Sequence, residues 1–125
     1  MDSKVFGELK YHTGWETERC IPYVTKKITI VIHAKAHGVT EEITQEQEDV
    51  FRYFEDNLSS IMKQIEDALR KDSGENFEKR YTPAMLLIKK DGKSALLFDD
   101  TTDIENGLAV SFMPDIRIMT QDEFL

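Results

Sequence analysis

The stretch TQEQEDVFRYFEDNLSSIMKQIEDALRK, Thr44 to Lys71, decides the fold. Its apolar residues are Val50, Phe51, Phe54, Leu58, Ile61, Met62, Ile65 and Leu69. At 100° per residue they fall within an arc of roughly 120°, the width of a stripe that faces a core. Thr44-Gln45-Glu46-Gln47 fits a capping box: the Thr44 hydroxyl meets the Gln47 amide, and the Gln47 side chain reaches back. Glu41, Glu42, Glu46, Glu48 and Asp49 crowd the positive end of the helix dipole, and Arg70 and Lys71 sit at the negative end. Gly74 supplies the stop. Asn57, Ser59 and Ser60 are mediocre helix formers and leave a kink there open. The stripe keeps its phase across them, so the spacing predicts one helix. Such a helix is about 42 Å long, against roughly 36 Å for the width of a compact chain of 125 residues. One end is therefore expected to overhang or to lie against a second subunit.

Strand patterns lie on both sides. Val5 to Tyr11 reads as a strand with Val5, Leu9 and Tyr11 on one face and Phe6 on the other. Thr13-Gly14 signals a turn. Trp15 to Val24 is a second strand, with Pro22 implying an edge or a bulge. A turn at Lys26-Lys27 leads to Lys27–His33, where Ile28, Ile30 and Ile32 alternate with Thr29, Val31 and His33. Beyond the helix, Ser73 to Tyr81 is a polar connection anchored by Phe77. Pro83–Lys89 and Ser94–Asp99 then flank Asp91-Gly92, a two-residue hairpin turn. That turn pairs Leu86 with Leu97 and Ile88 with Ala95, and on the other face Met85 with Phe98 and Leu87 with Leu96. Both faces of the hairpin are apolar, so both need cover. One helix covers one face; the C-terminal segment or another chain must cover the second. Leu108–Phe112 and Ile116–Met119 are two further strands, and Thr120–Glu123 is a second capping box that opens a last helical turn. The expected fold class is α+β: a mostly antiparallel sheet, made of an N-terminal three-stranded meander plus a C-terminal hairpin and strands, with one long amphipathic helix on a face. Residues 1–125 are read as a single domain.

Composition fits that reading, with 40% hydrophobic and 32% charged residues. Cys20 is alone, so no intrachain disulfide can form, and a reducing compartment is expected. Residues 1–11 show no signal-peptide pattern, and the longest apolar run, Ala84 to Ile88, is too short for a bilayer. A soluble cytoplasmic protein is expected, with no membrane partner. The net charge of −8 divides as +2 over residues 1–40, −6 over 41–82 and −4 over 83–125. Such a surface repels a phosphate backbone, which argues against nucleic acid and for a basic protein partner.

No catalytic, nucleotide or cofactor motif stands out. His33 and His37 have i, i+4 spacing, which on a helix would place two imidazoles together as metal ligands. Here a strand end and Gly38 argue against a helix, so strand-end and loop histidines are the default reading. Cys20 with His12 or His33 as base is the matching thiol reading, set against a structural cysteine. The run from Asp99 to Gly107, with Asp99, Asp100, Asp103 and Glu105, could offer oxygens to a cation. It lacks the glycine of an EF-hand turn, since Ile104 stands there. The same acidic residues suit a basic partner. Tyr11 and Trp15 flank the first turn as a candidate binding rim, or as packing against the helix or the sheet edge.

Phe6-Gly7-Glu8-Leu9-Lys10-Tyr11, then Gly14-Trp15, then Ile43-Thr44-Gln45-Glu46-Gln47 leading to Tyr53-Phe54, and Gln121-Asp122-Glu123-Phe124-Leu125 form a combination. It resembles small bacterial proteins that carry a domain of unknown function. The resemblance implies an α+β domain with no established activity, so it transfers no functional residue. Size and charge are also similar to those of immunity proteins of bacterial toxin systems. The expected function is a non-enzymatic interaction module, of the immunity-inhibitor type and with a homodimer as a further state. The alternative is a small metal- or ligand-binding enzyme using His12, Cys20, His33 and His37.

Overall fold

The structure, a computed structural model, describes residues 1–125. In chain order the elements are β1 (Asp2–Ser3), β2 (Gly7–Glu8), β3 (Lys10–Tyr11), β4 (Gly14–Tyr23), β5 (Lys26–Lys35), α1 (Gln45–Asp56), α2 (Leu58–Ser73), α3 (Phe77–Arg80), β6 (Tyr81–Ile88), β7 (Ser94–Asp100), β8 (Leu108–Met113), β9 (Arg117–Met119) and α4 (Gln121–Phe124). Strands β3 to β9 form one seven-stranded sheet in which spatial order follows chain order. All neighbours are antiparallel except β5 and β6, which run parallel from Val31 beside Met85 to Ala34 beside Ile88. A parallel pair requires a long crossover, and α1, α2 and α3 supply it.

The stripe docks as a unit. Val50, Phe51, Phe54, Ile61, Met62, Ile65 and Leu69 are buried, and Leu58 is half-buried. They meet the sheet face that carries Ile21, Ile30, Ile32, Leu86, Leu96, Phe98 and Val110. The single helix of the sequence reading is divided in two at Asn57 (φ −122°, ψ 25°). Both the backbone N–H and the side-chain amide of Asn57 donate to the Tyr53 carbonyl, at 3.0 and 2.9 Å. The side chain thus competes for the carbonyl that a continuing helix would use, which is why asparagine disfavours helix interiors. The halves are about 18 and 24 Å long. Each is shorter than the roughly 36 Å expected for the width of the chain, so the argument from a single rod no longer calls for a second subunit.

Three further expectations are corrected. The first strand is not continuous: Phe6 and Leu9 are both buried, a spacing of three that no alternating strand can satisfy. The chain folds β1 against β2 and leaves only Lys10-Tyr11 in the main sheet. The turn expected at Lys26-Lys27 falls instead at Val24-Thr25, because β5 begins with Lys26 paired to Tyr23. The β6–β7 hairpin is shifted by one residue. Its loop has three residues, with Gly92 N–H donating to Lys89 O and Lys89 N–H to Lys93 O, both at 2.9 Å. Gly92 takes φ +92°, the left-handed position that closes a three-residue loop. Met85 therefore pairs with Leu97, Leu86 with Leu96 and Leu87 with Ala95.

The second face of this hairpin is covered within the chain. Leu87, Ala95, Leu97, Ala109 and Phe124 form a separate buried cluster, closed by α4 through Phe124. Thr120 caps α4 in a capping box with Glu123, so the last turn is locally fixed where it meets the sheet. No helix is long and apolar enough to cross a membrane.

Candidate interaction loop

The β7–β8 connection, residues 101–107, is a structured loop. Asp100, at the end of β7, anchors its start. The carboxylate accepts a bidentate pair from Arg80 (Nε to Oδ1 3.0 Å, Nη2 to Oδ2 3.1 Å) and two further bonds from the Thr102 amide and hydroxyl (2.9 and 2.8 Å). Arg80 and then Thr102 hold the Asp100 carboxyl down at about 2. Thr101 N–H donates to Arg80 O at 3.0 Å, and the Asp103 and Gly107 amides close two turns, each at 3.1 Å. Asp103 in turn receives the Asn106 side-chain amide at 3.1 Å. The loop is thereby tied at its base and across its span.

At its tip stands Ile104, 88% exposed, between the exposed Asp103 and Glu105. Single exposed aliphatic residues are common. What distinguishes this one is the hydrogen-bonded frame beneath it. The arrangement presents an apolar plug within a fringe of carboxylates. It does not converge oxygens on a point: Asp100 is committed to Arg80 and Thr102, Asp103 to Asn106, and no group of three His, Cys, Asp or Glu is placed to hold a metal ion. By sequence pattern Ile104 is the residue that breaks a cation loop. A lone aliphatic residue inside an acidic run was the available signal for an anchor.

The other sequence candidates lie apart. His33 is buried on β5, with Nδ1 2.5 Å from Glu16 Oε2 and its ring packed over Gly14. His37 and His12 are exposed in separate loops. The two imidazoles of the i, i+4 pair thus serve different surroundings. Cys20 is exposed and pairs with Thr29, four positions from His33 along β5. That is about 13 Å of strand, too far for a thiol and its base. Trp15 is not a rim residue. It is 8% exposed, and its Nε1–H donates to Glu41 O at 2.7 Å, pinning the β5–α1 loop to β4. Tyr11 is half-buried edge-on against it, with ring centroids 5.4 Å apart. Glu41 is held further by Lys90 Nζ at 2.7 Å, which keeps its carboxyl below the usual range.

The motifs that carry the family resemblance prove to be framework. Phe6 stacks on Phe51 at 4.4 Å. Gly14 leaves room for the His33 ring: a Cβ there would lie 2.7 Å from His33 Cε1 and 2.9 Å from the Ala34 carbonyl. Gln47 has a second role that the capping pattern did not reveal. Fully buried, it donates from Nε2 to Lys35 O at 2.9 Å and Ile88 O at 3.1 Å, joining the ends of the parallel strands to the helix start. A model of a domain of unknown function, DUF6985, matches residues 5–96. The chain belongs to this family. The DUF6985 match takes in β2 to the middle of β7, and so the Gly14-Trp15 turn and the Gln47 junction. The Ile104 loop, β8, β9 and α4 fall outside it. No curated protein and no solved structure matches the chain.

Proposed function

We propose that this protein is a non-enzymatic interaction module that docks a basic partner protein on the Ile104 loop, in the manner of an immunity-type inhibitor. The observation that carries the reading is Ile104, 88% exposed on a loop tied down by Asp100 and Asp103. A preformed loop loses little conformational freedom when a partner closes over it. Ile104 is the apolar anchor, and Asp99, Asp103 and Glu105 are the steering charges around it. The partner offers an apolar socket rimmed by Lys or Arg. The chain's net charge of −8 favours encounter with a basic surface. A reducing, cytoplasmic setting suits the exposed lone thiol of Cys20. Homodimerisation through the β6–β7 hairpin has little apolar surface left to bury, because α4 already covers that face.

The test compares the natural sequence with Ile104→Asp as baits in an extract of the source organism. Because Ile104 touches little, the substitution should change stability by less than about 0.5 kcal/mol. A basic protein held at low salt, released as salt rises and bound at least ~30-fold more weakly by Ile104→Asp would support the reading. Equal capture by both baits, or capture of no basic protein, would end it.

A further inference from the structure

Between the hairpin tip, the β8–β9 turn, β9 and α4 lies a cleft of about 270 Å³. Lys89, Lys93 and Arg117 line its rim, and Pro114, Met119 and Phe124 are among its walls. Three cations around one cleft run against the character of a chain with 24 acidic and 16 basic residues. Lys89 and Arg117 enter no ion pair, and the nearest carboxylate to Lys93 is Asp91 at a loose 3.8 Å. Lys89 Nζ stands 4.3 Å from the Phe124 ring centroid, so the ammonium is held over an apolar floor. Two carboxylates share the lining, Asp115 and Glu123. Glu123 is occupied in the α4 capping box, where it accepts from the Thr120 amide at 3.1 Å.

We infer that this cleft binds a small organic anion, its carboxylate among Lys89, Lys93 and Arg117 and its apolar body against Met119 and Phe124. Both halves of that ligand are required by the lining. An inorganic anion finds the cations and wastes the walls; a neutral isostere finds the walls and leaves the cations unpaired. The site is independent of the Ile104 loop, which lies at the opposite end of β8.

Backbone amide NMR titration of the full chain, with benzoate, benzamide and inorganic phosphate as probes, tests the inference. Benzoate should shift the amides of residues 89–93, 111–119 and Phe124 saturably. Benzamide and phosphate should each bind at least ~10-fold more weakly, the loss expected when one charge-assisted contact or the apolar contact is removed. Arg117→Gln, an exposed substitution, and Lys89→Gln should each weaken benzoate by a similar factor with the melting temperature unchanged. Absence of a saturable benzoate response would overturn the site. So would benzamide or phosphate binding as tightly as benzoate, or unaltered benzoate binding by Arg117→Gln.

Discussion

Replacing Gln47 by methionine keeps the length and bulk of the side chain and removes its polar end. Three hydrogen bonds go with it: two donated to Lys35 O and Ile88 O, and one accepted from Thr44 N–H at 2.9 Å. Because Gln47 is 0% exposed, no water takes over at once. Buried groups left without a partner cost about 1–3 kcal/mol each, and carbonyls with a second lone pair fall at the low end, so the expected loss is roughly 3 kcal/mol. At about 2.1 cal/mol/K of unfolding entropy per residue, a chain of 125 residues should melt ~11 °C lower. Gln47→Glu separates the bonds from the packing. At neutral pH its carboxylate faces two carbonyls and should be at least as damaging. Burial holds such a carboxyl above its ordinary range, so acidification restores a donor and should recover part of the loss. Urea unfolding at two pH values measures both variants, with exposed Gln45→Met as the control. A Gln47→Met loss below about 1 kcal/mol would refute the claim that this amide joins helix and sheet, since the three bonds would then be worth no more than a surface contact.

Gly14→Ala should cost about 1–3 kcal/mol in denaturant unfolding, since its Cβ would meet the His33 ring and the Ala34 carbonyl, whereas Gly38→Ala, with open space around it, should be near neutral. The depressed Asp100 carboxyl stabilises the fold fully above its unfolded value of 3.8, and that contribution drains as pH falls toward about 2. Asp100→Asn should therefore flatten the acid limb of a stability-versus-pH curve. Tyr23 donates to Tyr81 O at 2.7 Å, and its ionisation is held above the ordinary tyrosine range by burial first and then by Glu66 and Glu78. Stability should fall as pH rises above about 10, where the unfolded chain ionises this phenol first. Absorbance titration should show the Tyr23 phenol silent until unfolding, and Tyr23→Phe should remove its share of that lag at a cost of about 1 kcal/mol.

Periodicity located the helical region, the long strands and the core stripe, because those depend on where apolar residues recur. It failed where a single residue's hydrogen bonding decides. Asn57 ends a helix whose stripe stays in phase on both sides of it, so the hydrophobic pattern carries no trace of the break. The hairpin register turned on whether Gly92 closes a two-residue or a three-residue loop, and Asp91-Gly92 is compatible with either. Phe6 and Leu9 both point inward because the chain doubles back through β1 and β2, a tertiary event that strand alternation cannot encode. At the candidate site the acidic residues were legible as a run. Their division of labour was not: Asp100 meets Arg80 twenty positions away and Thr102 beside it, while Asp103 holds Asn106, and no spacing rule announces the first of these pairings.

A sheet whose spatial order repeats its chain order has a single seam that neighbours in sequence cannot close, the junction of β5 with β6. On one side of it stands a ribbon of N-terminal strands, on the other a ribbon of C-terminal ones, each able to zip locally. Joining them demands that the chain between Lys35 and Tyr81 first coil back on itself, so assembly speed should be governed by that one event. Loop-closure entropy grows only slowly with length. Extra residues at the exposed Gly74-Glu75 connection should therefore be tolerated, whereas damage along the seam should slow folding itself.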